Sequence, residues 1–148
     1  MYRDTPSHRD KGSVAGINAM SKNPMLISIL ECKAALGMED YSIPSSSIQA
    51  SSHKDATLEP SSGRIHNSNG GGSWSAAVND EHQWFQVDFE NWTQVSGIST
   101  QGRLGYAEWV KTYRVSYSYD GLLYADYKEG PETKVFILTL PLMVLTPD

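Results

Sequence analysis

Catalytic chemistry needs clustered histidine, cysteine or carboxylate groups, and this sequence scatters them. His8, His53, His66 and His82 show no metal-ligand spacing, and the single cysteine, Cys32, excludes the paired-thiol zinc patterns. Glu39, Asp40, Asp80, Glu81 and Asp88 are of the type that pairs for acid-base work, and Asp80 with Glu81 is compatible with a calcium ligand pair. Solvated surface charge is the simpler reading of all five. Gly70-Gly71-Gly72 lacks the Lys-Ser/Thr and the helix of a phosphate loop and reads, with Asn67, Ser68 and Asn69, as a flexible connection. No metal, no cofactor and no enzymatic activity are expected. Two features remain with chemistry of another kind. Asn91-Trp92-Thr93 is an acceptor triplet for N-glycosylation in a chain that meets the secretory pathway. Arg103 offers a planar fork of donors suited to a carboxylate or sulfate.

The elements that must position these residues are strands. In Trp84-Phe85-Gln86-Val87-Asp88-Phe89, alternation puts Phe85, Val87 and Phe89 on one face and Gln86 and Asp88 on the other. Val95 to Thr100 offers a second run. Val110 to Tyr119 is a third, with Tyr113, Val115, Tyr117 and Tyr119 on one face, and Asp120-Gly121 supplies the turn after it. Trp84 and Trp109 read as core. The 148 residues suit one domain, with a hydrophobic share of 39% and four tryptophans to fill its core. A formal charge of -5 argues against general attraction to nucleic acid or anionic lipid, since both need clustered Lys and Arg. Residues 1–31 are poor in large apolar side chains until Met25 to Leu30, and read as a mobile segment in which that run is either an extra strand or the remnant of a signal sequence. No run approaches the roughly twenty apolar residues that cross a bilayer.

At these residues the chain resembles the discoidin family, also called the coagulation factor V/VIII type C domain. Cys32-Lys33-Ala34-Ala35-Leu36-Gly37-Met38-Glu39 is similar to the family's opening motif. Ile43-Pro44 to Ser52 resembles its first strand, and Gly63-Arg64-Ile65-His66-Asn67, Ser73-Trp74 and the strands above follow in family order to about Phe136. The resemblance implies an all-β, jelly-roll sandwich over residues 32–136, whose loops at one end bind cell-surface or matrix ligands.

Two such loops follow from the resemblance. His53, Lys54, Asp55 and Leu58 lie where membrane-binding relatives carry exposed aromatics. None is present here, so binding to membrane lipid is not expected. Arg103, Leu104 and Tyr106 form the second loop, with arginine and tyrosine as the residue types that dominate recognition hot spots. The alternative there is structural: Arg103 supports a strand end and Tyr106 covers the core. Trp74 divides likewise between stacking on a sugar ring and packing inside the sandwich.

After Phe136 the resemblance stops. An atypical apolar tail, residues 137–148, stands where the family has further strands and a closing cysteine, and Ile137 to Leu140 has the composition of a strand that would patch an open edge. Cys32 is then without the family's partner, which leaves a free thiol, a bond to another chain, or a spliced or incomplete sequence. A domain lacking that closure is expected to be fragile and prone to self-association. The function expected is a secreted, non-catalytic adhesion module, a glycoprotein that binds a matrix protein or a cell-surface glycan. The alternatives are the carbohydrate-binding module of a larger enzyme, and a splice or gene-model fragment without independent function.

Overall fold

The computed structural model describes residues 35–138, together with the backbone of residues 12–17. Cys32, His8, the run Met25 to Leu30 and the tail beyond residue 138 lie outside the described residues. Among the described residues there are eight strands: β1 (Gly12–Ile17), β2 (Ile48–Ala50), β3 (Gln83–Val87), β4 (Thr112–Ser118), β5 (Tyr124–Asp126), β6 (Lys128–Glu129), β7 (Glu132–Thr133) and β8 (Val135–Ile137). Only two single turns of 3-10 helix, Ser45–Ser47 and Pro60–Ser62, accompany them among the described residues. The fold is all-β, of the discoidin sandwich type.

Six strands form one sheet in the order β2-β3-β1-β4-β5, with β8 also on β4, while β6 and β7 make a separate ribbon. Antiparallel pairing dominates: Ile48 lies opposite Val87, Ser116 opposite Asp126 and Tyr113 opposite Phe136. The exception is β1, which falls within residues 1–31 and runs parallel to both β3 and β4. It is the strand through which those two are joined. The patching strand β8 begins two residues before Ile137 and lies antiparallel on β4.

The alternation in β4 holds, but Ser116 and Ser118 are buried beside Val115, so the strand is covered on both faces. The turn after it is held by side chains. Asp120 Oδ1 accepts from the backbone N–H of Leu122 and Leu123, Ser118 Oγ accepts from Gly121 N–H, and Gly121 takes the left-handed conformation at φ 72°. Val95 to Thr100 forms no strand. Most of that run is exposed, so its β-forming composition is not matched by the half-buried surface on which a strand packs.

Ile43, Ile48, Leu58 and Val115 are the fully buried apolar residues among those described. Aromatic pairs extend this core: Trp74 against Phe85 at 5.4 Å, and Tyr113 stacked on Phe136 at 5.0 Å. Trp84 does not belong to it. Being adjacent in the strand to Phe85, whose ring packs inward on Trp74, it emerges on the other face and is 37% exposed. Trp109 is half-buried, its indole N–H donating to the carbonyl of Leu138. Arg64 is the least expected core member. Its guanidinium, buried against the ring of Tyr41, donates to the carbonyls of Met38 and Ile43 and so pins the turn that precedes β2.

Candidate functional site

The two loops expected to bind a ligand meet through glycine. Gly71 N–H donates to the carbonyl of Thr57 at 2.7 Å, and the Gly71 carbonyl accepts from Arg103 Nε at 3.1 Å. Residues 53–59, 70–72 and 102–108 therefore form one continuous rim. No side chain fits at the junction, because a Cβ on Gly71 would stand 2.3 Å from Leu58 Cδ2 and 2.9 Å from the Thr57 carbonyl oxygen. The stretch that composition marks as a flexible connection is a packed turn. Asn67 Oδ1 accepts from Asn69 N–H, Asn67 Nδ2 donates to the Ser62 carbonyl, and Gly70 and Gly72 take left-handed φ values of 59° and 68°. The signal lay in the neighbouring asparagine, whose side chain closes such turns on its own backbone.

On the first loop, His53, Lys54 and Asp55 are exposed, whereas Leu58 is 2% exposed. Leu58 cannot meet a ligand from there. Its side chain is the plug beneath Gly71, and the loop turns it inward because Leu58 N–H bonds back to the Asp55 carbonyl. The Asp55 carboxylate accepts from the Thr57 hydroxyl and backbone N–H, which together hold its pKa below the ordinary value.

On the second loop, Arg103 is mostly committed within the protein. Besides Gly71 it pairs with Glu108 at 3.0 Å and lies over the ring of Tyr106, 3.7 Å from its centre. Tyr106 N–H returns to the Arg103 carbonyl and Arg103 N–H to that of Glu108, so the loop is closed on itself. Gly105, at φ 76°, makes the turn between two outward residues. Leu104 is 61% and Tyr106 57% exposed. The arginine thus braces the loop, and these two side chains stand outward from it.

Beside this rim is a shallow cavity of about 60 Å³, lined by Ser73, Trp74, Gln83, Arg103, Glu108 and Trp109 among others. Ser73 Oγ is buried without a hydrogen-bond partner. A single water needs roughly 10–15 Å³ of such space, so the cavity suits a few waters or a small polar group. Trp74 also has its indole N–H bound to the Ser52 carbonyl at 2.8 Å and its ring against Phe85. Among the described residues no cluster of His, Cys, Asp or Glu is arranged to hold a metal ion.

The F5/8 type C domain model matches residues 47–139, both loops included. The chain belongs to this family. Mouse (Mus musculus) lactadherin is 36% identical over 113 residues, 71% of this chain and 24% of the lactadherin. Bovine (Bos taurus) lactadherin is 33% identical over 115 residues, covering 71% of this chain and 27% of its own length. Human coagulation factor VIII is 36% identical over 110 residues, 71% of this chain but 5% of the factor. The F5/8 type C chain therefore spans about a quarter of the lactadherins that it resembles and a twentieth of factor VIII. No helix among its described residues is long and apolar enough to cross a membrane.

Asn91, the acceptor of the glycosylation triplet, is exposed just beyond β3 and away from the Gly71 rim. Sequence reasoning missed Gly71 itself, which contacts both loops without carrying a functional group.

Proposed function

We propose that this domain is a non-catalytic, extracellular adhesion module that binds a matrix protein or a cell-surface glycan through the Gly71-braced rim. The single observation that supports this most is the second loop: Arg103 is spent on holding it, and Leu104 and Tyr106 are thereby fixed outward. A rigid pair of apolar tips loses little side-chain entropy on docking. His53, Lys54 and Asp55 supply the polar edge that surrounds such contacts. The tips favour a protein surface over a sugar, because neither Trp74 nor the small cavity offers an open stacking platform. Asp55, Glu59 and Glu108 near the tips disfavour anionic lipid. The relatives' names belong to extracellular proteins, which supports the same placement for this chain.

Immobilised matrix proteins, a glycan array and lipid vesicles, each probed with the full chain and with the Leu104→Ser/Tyr106→Ser variant, test this. Burying both side chains contributes roughly 3 kcal/mol, so the variant should bind a matrix protein or glycan about 100-fold more weakly. Both residues are exposed, so its unfolding midpoint should fall by only a few degrees, for the lost contact of Arg103 with the Tyr106 ring. Binding that the double substitution leaves unchanged would remove the rim as the site, and binding to vesicles alone would replace the ligand class.

A further inference from the structure

The opposite end of the sheet carries a second feature, built around Asn91. As β3 ends, the chain bends sharply: Glu90 takes the left-handed conformation at φ 60°, which a non-glycine residue adopts only when held there. It is held on three sides. Glu90 N–H donates to Asp88 Oδ1 at 2.7 Å, Asn91 N–H donates to the Phe89 carbonyl at 2.6 Å, and Glu90 Oε1 accepts from the hydroxyl of buried Ser47 at 3.0 Å. Asp88 N–H also donates to the Ser47 carbonyl. The bend leaves Asn91 exposed and brings Trp92 across the end of β4, where its ring stacks on Tyr119 at 5.2 Å and 26° between planes. Tyr119 in turn meets the edge of Tyr117.

This aromatic pair is neither core nor part of the ligand rim. Trp92 is 62% exposed and Tyr119 53%, so the two rings stacked on each other leave the outward faces of the pair open to solvent. Leu122 and Leu123, at 81% and 80% exposure, stand on the turn just beyond Tyr119. A contiguous apolar patch on a soluble surface marks a place where something lies. What lies there is indicated by the residue beside it, since Asn91 is an acceptor whose triplet is completed by Thr93.

We propose that Asn91 is an occupied N-glycosylation site and that the first sugar of its glycan packs on the Trp92–Tyr119 face, so that the glycan is a structural cover for this end of the domain. Attachment forms a bond from the Asn91 amide nitrogen to the anomeric carbon of a lipid-pyrophosphate-linked oligosaccharide. The bond from that carbon to the pyrophosphate oxygen breaks, the lipid pyrophosphate leaves with the electron pair, and the amide gives up one proton. The apolar C–H face of a pyranose then matches the open ring faces, with the tether fixed one residue away by the Glu90 bend. The inference rests on the extracellular placement proposed above and is independent of the ligand rim.

The test is made on the full chain secreted from eukaryotic cells. Intact mass should show a glycan that Asn91→Gln removes. After trimming to one N-acetylglucosamine, nuclear Overhauser contacts should join that sugar to the Trp92 indole. The trimmed protein should melt roughly 4 °C or more above Asn91→Gln, by the stabilisation typical of one aromatic contact. In the Tyr119→Ser background, still glycosylated, that difference should fall by at least half. A chain secreted without sugar on Asn91 overturns the proposal and leaves the extracellular reading intact; retention inside the cell overturns both. Occupancy without contacts to Trp92 refutes the packing, and the wild-type protein alone suffices for that measurement.

Discussion

Replacing Gly71 by alanine should destabilise the domain, although two effects of opposite sign compete. Gly71 lies outside the left-handed region, so an alanine meets no backbone strain, and the reduced freedom of the unfolded chain would by itself stabilise by about 0.4–1 kcal/mol. Against this, the new methyl would stand 2.3 Å from Leu58 Cδ2, 2.9 Å from Leu58 Cγ and 2.9 Å from the Thr57 carbonyl oxygen. Leu58 is 2% exposed and has no outward path, and the carbonyl is backbone. Overpacking of this kind costs about 1–3 kcal/mol, more than the entropic gain at its upper end. The net expectation is a loss of about 1–2 kcal/mol, or roughly 4–16 °C in the melting midpoint of a domain this size. Urea unfolding followed by tryptophan fluorescence measures it, with a lower midpoint at an unchanged slope. Combining the change with Leu58→Ala supplies the control: the two share one volume, so the double variant should be more stable than the sum of the single losses predicts, by about 0.5–3 kcal/mol. An alanine at 71 that is neutral or stabilising, or strict additivity with Leu58→Ala, would refute the steric reasoning and with it the role of Gly71 as the brace.

Arg64→Ala strips donors from the Met38 and Ile43 carbonyls and should cost about 3 kcal/mol or more in denaturant unfolding, with Arg64→Lys recovering only part because it lacks the fork. Acid should loosen the turns before the sheet. Asp55 is held low chiefly by the Thr57 hydroxyl and Asp120 by the N–H groups of Leu123 and Leu122, so both stay ionised down past the ordinary carboxylate value of 3.8. With the folded pKa depressed, their contribution is complete above that value and disappears as pH falls through the folded pKa. Proton-resolved titration of the Leu122, Leu123 and Thr57 amides should therefore show midpoints below pH 3.8, and midpoints above it would contradict these turn bonds.

The legible part of this fold was what period-two alternation controls. β3 and β4 lie where the alternating runs place them, because each has a partner on both sides that fixes its register. Val95 to Thr100 has the same composition but is mostly exposed and forms no strand, and composition cannot tell the two cases apart. The same limit explains Trp84, read as core by its size alone, whereas its position one residue from Phe85 assigns it to the opposite face. At the site, Arg103 and Tyr106 were visible as residue types, with a binding and a structural role both open for each. That Arg103 is a brace follows from Gly71, thirty-two residues away in sequence, whose carbonyl it binds. Leu58 was placed in the correct loop and on the wrong side of it, since only the turn closed by Asp55 and Leu58 decides which way that side chain faces.

The position of β1 bears on how the chain reaches this structure. Ser13 pairs with Gln83 on one side and with Tyr113 on the other, residues seventy and one hundred positions later. In a chain made from its N-terminus, this strand is synthesised before the other described strands and must wait for most of the domain before either partner exists. Closing such long loops precedes any return in pairing, which places folding toward the slow, millisecond-to-second end for small domains. Until then β3 and β4 each present a bare edge to other nascent chains. Synthesis rate and chaperone supply, rather than the depth of the native minimum alone, would then govern how much of this domain is recovered as monomer.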